Sequence, residues 1–321
     1  MRSARLRQRE VDSLVFSDDN IHKNMMFFWG VVRYLGSVEN RRKTAFWPSA
    51  AGKNPLCNER RTDMSDKKFG LRIKWLGCAC FEMDFGGATV VSDPWITANT
   101  KTELTWEAVE KCDYITLSHG HYDHTLDMPV LVEKFNSRVL CGEFTAMPLM
   151  NWLDINPMSM YPMSPNLELD FDAVKIKSLY GRHTVLAGGA AKRRAWAQEH
   201  PVNNGDPNMI EMAIWGDLEY RNFLYTMPNG TKILLWGNRL DRPEQRNQIL
   251  EVKPDIAILQ MTKNTGADTA AVCLEAGCKI VIPHHFDFPG DYMSKVLELQ
   301  EAAAGTELRC IVPEYGQWME L

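Results

Sequence analysis

The sequence predicts a mixed α and β domain, and three observations carry that prediction. Short runs of β-branched and aromatic residues alternate with polar ones, as in half-buried strands. Longer stretches show the three-to-four-residue spacing of helices. The two kinds of segment also come twice in the same order, hairpins first and strand-helix alternation after. With 45% hydrophobic content over 321 residues there is ample material for a buried core, and no internal repeat or low-complexity tract is visible.

The elements follow in chain order. Residues 71–76 alternate and end at Gly77; Phe81-Glu82-Met83-Asp84-Phe85 alternates again; Gly86-Gly87 turns the chain, and residues 88–92 lead into Asp93-Pro94-Trp95. Tyr114-Ile115-Thr116-Leu117 is apolar and β-branched, the pattern of a buried strand. Residues 127–135 have helical spacing in Met128, Leu131, Val132 and Phe135, with Asp127 as N-cap beside Pro129. A strand at Val139-Leu140, a helix over about 143–152 and a strand over 174–179 complete the first half. The second half opens on a hairpin, 223–226 and 232–236, turned at Asn229-Gly230. Helices are expected over 244–252, over 268–276 with Gly277 as C-cap, and over 292–303 with Gly305 beyond. Strands are expected over 256–259, 280–282 and 308–312. The stretch 187–211 is long, polar and rich in Gly, Asn and Arg. It reads as a lid or substrate wall, or as a plain surface excursion.

Charge is uneven. Residues 1–63 hold 12 Lys and Arg against 7 Asp and Glu, whereas the remainder holds 24 against 34, a net of −10. An acidic body is a poor electrostatic match for nucleic acid, which is therefore not expected as a partner. The leader's apolar patch, Met25-Met26-Phe27-Phe28-Trp29-Gly30-Val31-Val32, is too short to span a bilayer and is followed by Arg33. Neither a cleaved secretion signal nor stable membrane insertion is expected. The eight cysteines form no paired CxxC arrangement, which points to a reducing, cytoplasmic compartment. Met64-Ser65-Asp66-Lys67-Lys68 is a natural-looking start to the first strand. Residues 1–67 thus read as an N-terminal extension, either preceding a biological start at Met64 or forming a helical appendage that packs on the domain or aids homo-oligomerisation.

The chemistry is concentrated in Ser118-His119-Gly120-His121-Tyr122-Asp123-His124, three imidazoles and a carboxylate on the loop where the strand 114–117 ends. Imidazole and carboxylate at that density are metal ligands. In extended backbone alternate side chains share a face, so His119 and His121 can converge on one point. Asp123 and His124, in the turn beyond, address a second.

This His-x-His-x-Asp-His run after a strand resembles the signature of the metallo-β-lactamase superfamily, and the resemblance covers residues 69–321. It implies a four-layer αββα sandwich, helices outside two central sheets, with the ligands on loops at one edge, so that residues 68–321 form a hydrolase domain. It also implies further ligands. His183 follows the strand 174–179. His285 or its neighbour His284 follows Ile280-Val281-Ile282-Pro283, with His285 the better fit because one residue separates the proline from the ligand. Asp93 would support the metal loop without binding metal. One position departs from the pattern: Gly237-Asn238 stands where a Gly-Asp pair should deliver a bridging carboxylate. Asn238 then binds weakly, leaving one tight and one labile ion; or Asp241 or Asp217 substitutes; or catalysis has been lost. The segment Ala213-Ile214-Trp215-Gly216-Asp217 mimics 234–238 and ends in the expected carboxylate. Cys78 and Cys80 stand where relatives often carry a Gly-His pair; they read as small packed residues, with a redox or ligand role as the alternative.

The implied chemistry is hydrolysis with one or two Zn²⁺ or Mn²⁺ ions per chain. An ion on His119, His121 and His183 would lower the pKa of bound water from about 15.7 toward about 7. Asp123 would orient the resulting hydroxide and, with His124 and His285, hold a second ion. The arrangement is similar to the branch that includes ascorbate-6-phosphate lactonase and the phospholipase D acting on N-acyl phosphatidylethanolamines, which implies a small lactone or phosphoester substrate. Arg182, and less directly Lys192, Arg193 and Arg194, are candidates to meet its phosphate or carboxylate. The alternative is a catalytically impaired ligand-binding protein of the same fold.

Overall fold

The computed structural model describes residues 69–183 and 207–321, together with 192, 194 and 195. The leader with Met64, most of the stretch 187–211 and Arg193 lie outside the described residues. Two sheets of seven strands each organise the domain. The first contains β1 (Arg72–Gly77), β2 (Cys80–Asp84), β3 (Thr89–Ser92), β4 (Tyr114–Thr116), β5 (Arg138–Gly142) and β6 (Met160–Met163). The second contains β7 (Glu168–Asp170), β8 (Lys175–Gly181), β9 (Tyr220–Thr226), β10 (Lys232–Trp236), β11 (Ile256–Gln260), β12 (Ile280–His284) and β13 (Arg309–Cys310). β14 (Trp318–Glu320) returns to the first sheet, whose order is β14-β1-β2-β3-β4-β5-β6; the second runs β13-β12-β11-β10-β9-β8-β7. Each half starts antiparallel and turns parallel, at β3–β4 in the first and β10–β11 in the second. That is the doubled order read from the sequence.

Seven α-helices flank the sheets among the described residues: α1 (Tyr122–Thr125), α2 (Met128–Phe135), α3 (Glu143–Leu153), α4 (Pro207–Trp215), α5 (Pro243–Val252), α6 (Gly266–Ala276) and α7 (Met293–Ala303). Strand alternation builds the layers. Ile73, Trp75, Met83 and Val90 face Ile176, Phe223, Tyr225 and Ile233 of the second sheet, forming the central core. The opposite face of the first sheet, with Leu76, Val91, Ile115 and Val139, packs on Met128, Leu131, Ala146 and Leu149 of α2 and α3. Ala270, Val272 and Leu299 cover the outer face of the second sheet, which completes four layers. No helix among the described residues is long and apolar enough to cross a membrane.

Departures from the sequence reading have local causes. Residues 213–217, which mimic 234–238 in sequence, lie not in a strand but at the end of α4 and in the turn after it. Three apolar residues cannot by themselves distinguish the two states, and Pro207 starts a helix that Met212, Ala213 and Ile214 bury. Asp127 sits at the N-cap of α2 without capping it; its carboxylate accepts from Ile96 N at 2.5 Å and Thr97 N at 3.0 Å, fixing the loop after Asp93. The expected last strand is short, and the chain instead closes through β14, which pairs Met319 with Ile73. α3 begins at Gly142 without a local cap, and Glu219 supplies one from across the fold by accepting from Phe144 N at 2.8 Å and Thr145 N at 3.1 Å.

α6 and α7 touch backbone to backbone at Gly266, where an added Cβ would collide with Leu299 N and Lys295 O. Gly266→Ala is expected to destabilise the domain by about 1–3 kcal/mol, as overpacking does, read as a lower Tm in thermal unfolding. An unchanged Tm would mean that the helices separate freely.

Candidate metal centre

The loop after β4 is held from behind. Asp93, fully buried and in left-handed backbone (φ 40°), accepts from Ser118 N at 2.7 Å and from Ser118 Oγ at 2.7 Å, and its Oδ2 lies 3.0 Å from His124 Nδ1. Ser118 Oγ in turn lies 2.9 Å from His119 Nδ1. The back nitrogens of His119 and His124 are therefore engaged, and their Nε2 atoms face forward. The loop is also tied to the second half of the chain. Gly120 N donates to Gly216 O at 2.7 Å and Arg221 N to Ser118 O at 2.8 Å. The approach at Gly216 leaves no room for a side chain, because a Cβ there would sit 2.6 Å from Gly120 O.

Two groups of ligand atoms result, each drawn together within 4.8 Å: His119, His121 and His183 in one, and Cys78, Asp123, His124 and His285 in the other. In the first, His119 Nε2 and His121 Nδ1 lie 3.0 Å apart, and the His183 ring is 4.8 Å from that of His119. In the second, His124 Nε2 and His285 Nε2 lie 3.6 and 3.7 Å from Asp123 Oδ2, while His285 Nδ1 is anchored 2.5 Å from Phe288 O. Tyr220 stacks on His119 at 4.8 Å as a wall. The donors suit divalent ions such as zinc.

The imidazoles of His119, His121 and His285 are biased toward the neutral form that metal ligation needs. Burial pushes His119 well below its ordinary value, helped by the neighbouring rings of His124, His121 and His183. Burial also lowers His121 to about 4, against the pull of Asp123 and Asp217, and lowers His285 to about 4. Burial opposes charge on His124 too, but Asp123 and Asp93 outweigh it and its pKa is raised. Asp123 stays ionised: burial raises it, and the surrounding imidazoles of His124, His285 and His121 bring it below the usual carboxylate range.

Of the adjacent histidines, His285 reaches the cluster. His284 turns away, with Nε2 3.0 Å from Trp236 O. Asn238 is buried but committed elsewhere. Its Oδ1 accepts from Asn222 Nδ2 at 2.7 Å and Arg182 N at 3.3 Å, and its Nδ2 donates to Arg182 O at 3.1 Å. Both lone pairs of the oxygen are used, so Asn238 braces the backbone at Arg182, next to His183. Asp241 is exposed and paired with Arg239. Asp217 is the carboxylate that does arrive, with Oδ2 3.5 Å from His183 Nδ1. The Arg182 side chain is exposed, and Arg194 pairs with Glu211 at 3.0 Å.

Two residues join the site that were either only an alternative ligand in the sequence analysis or absent from it. One is Cys78. The other is Lys263, on the loop after β11, which Lys295 Nζ pins by donating to Met261 O at 3.0 Å and Thr262 O at 2.9 Å. Its ammonium sits 5.6 Å from the Tyr220 ring, and burial lowers its pKa to about 8 despite the attraction of Asp123. No motif marks a lone lysine after a strand.

The profile of the Beta-lactamase superfamily domain matches residues 72–285, about two thirds of the chain. The chain belongs to the metallo-β-lactamase superfamily. A UPF0173 metal-dependent hydrolase from Bacillus thuringiensis (strain Al Hakam) is similar at 32% identity over 110 residues, 34% of this chain and 47% of that relative. The chain thus spans about half the length of the curated relatives it matches. Among solved structures of the superfamily fold, Igni18, a metallo hydrolase from Ignicoccus hospitalis KIN4/I, aligns with a TM-score of 0.56 at 15% identity, covering 78% of this chain and 97% of that one. An isothiocyanate hydrolase from Delia radicum gut bacteria aligns with the same TM-score of 0.56 at 15% identity, covering 78% and 99%. At such identity these two show the superfamily fold alone.

Two outcomes are expected. Asp93→Ala leaves Ser118 and the His124 ring without their partner, and metal affinity in competition with a chromophoric chelator should fall about 10- to 100-fold; unchanged affinity would contradict this placement. The second concerns pH. His121 and His285 take up protons in the unfolded chain near 6.5 but in the fold only near 4. Between those values the unfolded state binds more protons, so their contribution is complete above the unfolded value and is lost as pH falls. His124 acts in the opposite direction and offsets part of the loss. The Tm of metal-free protein should therefore drop from about pH 6.5 to about pH 4, and a Tm that rises over that range contradicts the assignment.

Proposed function

We propose that the chain is a metal-dependent hydrolase using Zn²⁺ or Mn²⁺ to cleave a small lactone or phosphoester. The observation that carries this reading is the pair of ligand groups, drawn from four loops at one edge of the sandwich. His119, His121 and His183 would hold one ion, and Asp123, His124 and His285 a second. When bound, such ions supply Lewis acidity: they make hydroxide available near neutral pH and polarise the oxygen of the bond to be cleaved. Asp123, ionised and at the junction of the groups, is placed to accept a proton from the attacking water and orient it. Tyr220 closes one side against solvent.

Lys263 supports a substrate that carries an anion. Its loop is braced, its charge faces the centre, and Arg239 and Arg242 lie near enough to depress its pKa further. A phosphate or carboxylate beside the scissile bond would find this cationic side, a role for which the exposed Arg182 is less well placed. Asn238 favours a rival reading, a ligand-binding protein without turnover, because no carboxylate bridges from that position.

The deciding assay is hydrolysis of lactone and phosphodiester substrates by chelator-treated protein, with Zn²⁺ or Mn²⁺ restored. Metal-dependent turnover that disappears in His121→Ala is expected; ligand binding with no turnover under any metal would favour the rival. Lys263→Met should raise KM for anionic substrates about ten- to a hundredfold while changing kcat less, since a hydrogen bond to a charged group is worth about 1.5–3 kcal/mol. An equal effect on neutral analogues would remove the anion role.

A further inference from the structure

The second ligand group holds two donors that the histidine-rich loop does not supply, His285 and Cys78. Cys78 comes from the turn between β1 and β2, and its Sγ lies within 4.8 Å of the ligand atoms of Asp123, His124 and His285. Its backbone is left-handed, with φ 49°. That conformation is unfavourable for a residue with a Cβ and persists where the surroundings enforce it. They do so here on three sides. Trp75 Nε1 donates to the Cys78 carbonyl at 3.1 Å, and His285 N donates to the same carbonyl at 2.9 Å. Cys78 N donates to Asp287 Oδ2 at 3.0 Å, and that oxygen also accepts from the Tyr315 hydroxyl at 2.9 Å. His285 is itself left-handed, with φ 54°. Two strained residues are thus joined directly, and both side chains are aimed into the same group. Cys80, two residues on, packs instead with Val91 and Ile115 under α2.

We infer that Cys78 binds, as a thiolate, the same divalent ion as Asp123, His124 and His285, and that this position prefers zinc to manganese. The inference rests on the metal-dependent reading above. One sulfur, two imidazole nitrogens and one carboxylate oxygen make a four-donor set, the number and kind that zinc takes in tetrahedral sites, and a thiolate is too soft a donor to suit manganese. The charge balance agrees. Asn238 is neutral and occupied by its own hydrogen bonds, so the centre lacks the anion that a carboxylate there would bring; a thiolate at Cys78 restores one negative charge on the side of the second ion. Ion uptake would replace the S–H bond with an S–metal bond and release one proton to solvent.

Titration of the full chain with Co²⁺ tests this without reference to activity. Wild-type protein should bind two ions and show thiolate-to-cobalt charge-transfer absorption in the near ultraviolet. Cys78→Ser should abolish that absorption and weaken one ion at least about tenfold while the other is retained, and Cys80→Ser should leave both features intact. Two bound ions without the absorption, or absorption that survives in Cys78→Ser, overturns the Cys78 assignment and leaves the metal-dependent reading standing. A chain that binds no Co²⁺ overturns both. Should Cys78→Ser fail to fold, the cadmium NMR spectrum of the wild type gives the same answer: one resonance shifted well outside the nitrogen-and-oxygen range supports sulfur ligation, and two within that range overturn it.

Discussion

The buried carboxylate of Asp93 is the constraint from which the rest of the site follows. A carboxylate taken out of water must have its lone pairs satisfied, and Asp93 satisfies them with Ser118 N, Ser118 Oγ and His124 Nδ1. Its own N–H donates to Thr116 O at 3.0 Å, so the ends of β3 and β4 are locked together at this point. Through Ser118 the carboxylate sets the ring of His119, and directly it sets the ring of His124. One residue thereby orients a ligand in each group, which explains why a left-handed backbone is tolerated at φ 40°.

The site belongs to neither half of the chain alone. His119 to His124 hang from the first sheet, and His183, Asp217 and His285 from the second. The cross-links that bring them together are backbone hydrogen bonds: Gly120 to Gly216, Arg221 to Ser118 and His285 to Cys78. Backbone approach that close demands glycine at the first of these contacts, where a Cβ on Gly216 would meet Gly120. The two parallel-sheet regions put the ends of β4, β10, β11 and β12 on one edge, as open α/β sheets do with their functional loops.

Charge at this edge is balanced by the fold. The imidazoles, the carboxylates of Asp123 and Asp217, and the ammonium of Lys263 share a space with little access to solvent. The two carboxylates and the ammonium act on the titration of His121 in opposite directions, an influence that solvent would screen at the surface. Asn238 belongs to this balance through its absence of charge, and its side chain serves instead as a clamp on the backbone carrying His183.

The sequence by itself determined the repeated hairpin-then-alternation order, the metal loop and the choice of superfamily, because period-two alternation and a dense histidine cluster are local properties that survive without a partner. The resemblance also favoured His285 over His284, because the family pattern leaves one residue between the proline and the ligand. A ligand role for Cys78 stood only as an alternative, nothing marked Lys263, and neither the bonds of Asn238 to Asn222 and Arg182 nor the helix that ends at 213–217 could be read from the residues alone. Those are decided by which loops meet across the two sheets, by where β14 closes the first sheet, and by which buried polar atoms find partners. Such contacts join residues as far apart as Arg72 and Glu320, and no local pattern records them; the tertiary structure alone fixes them.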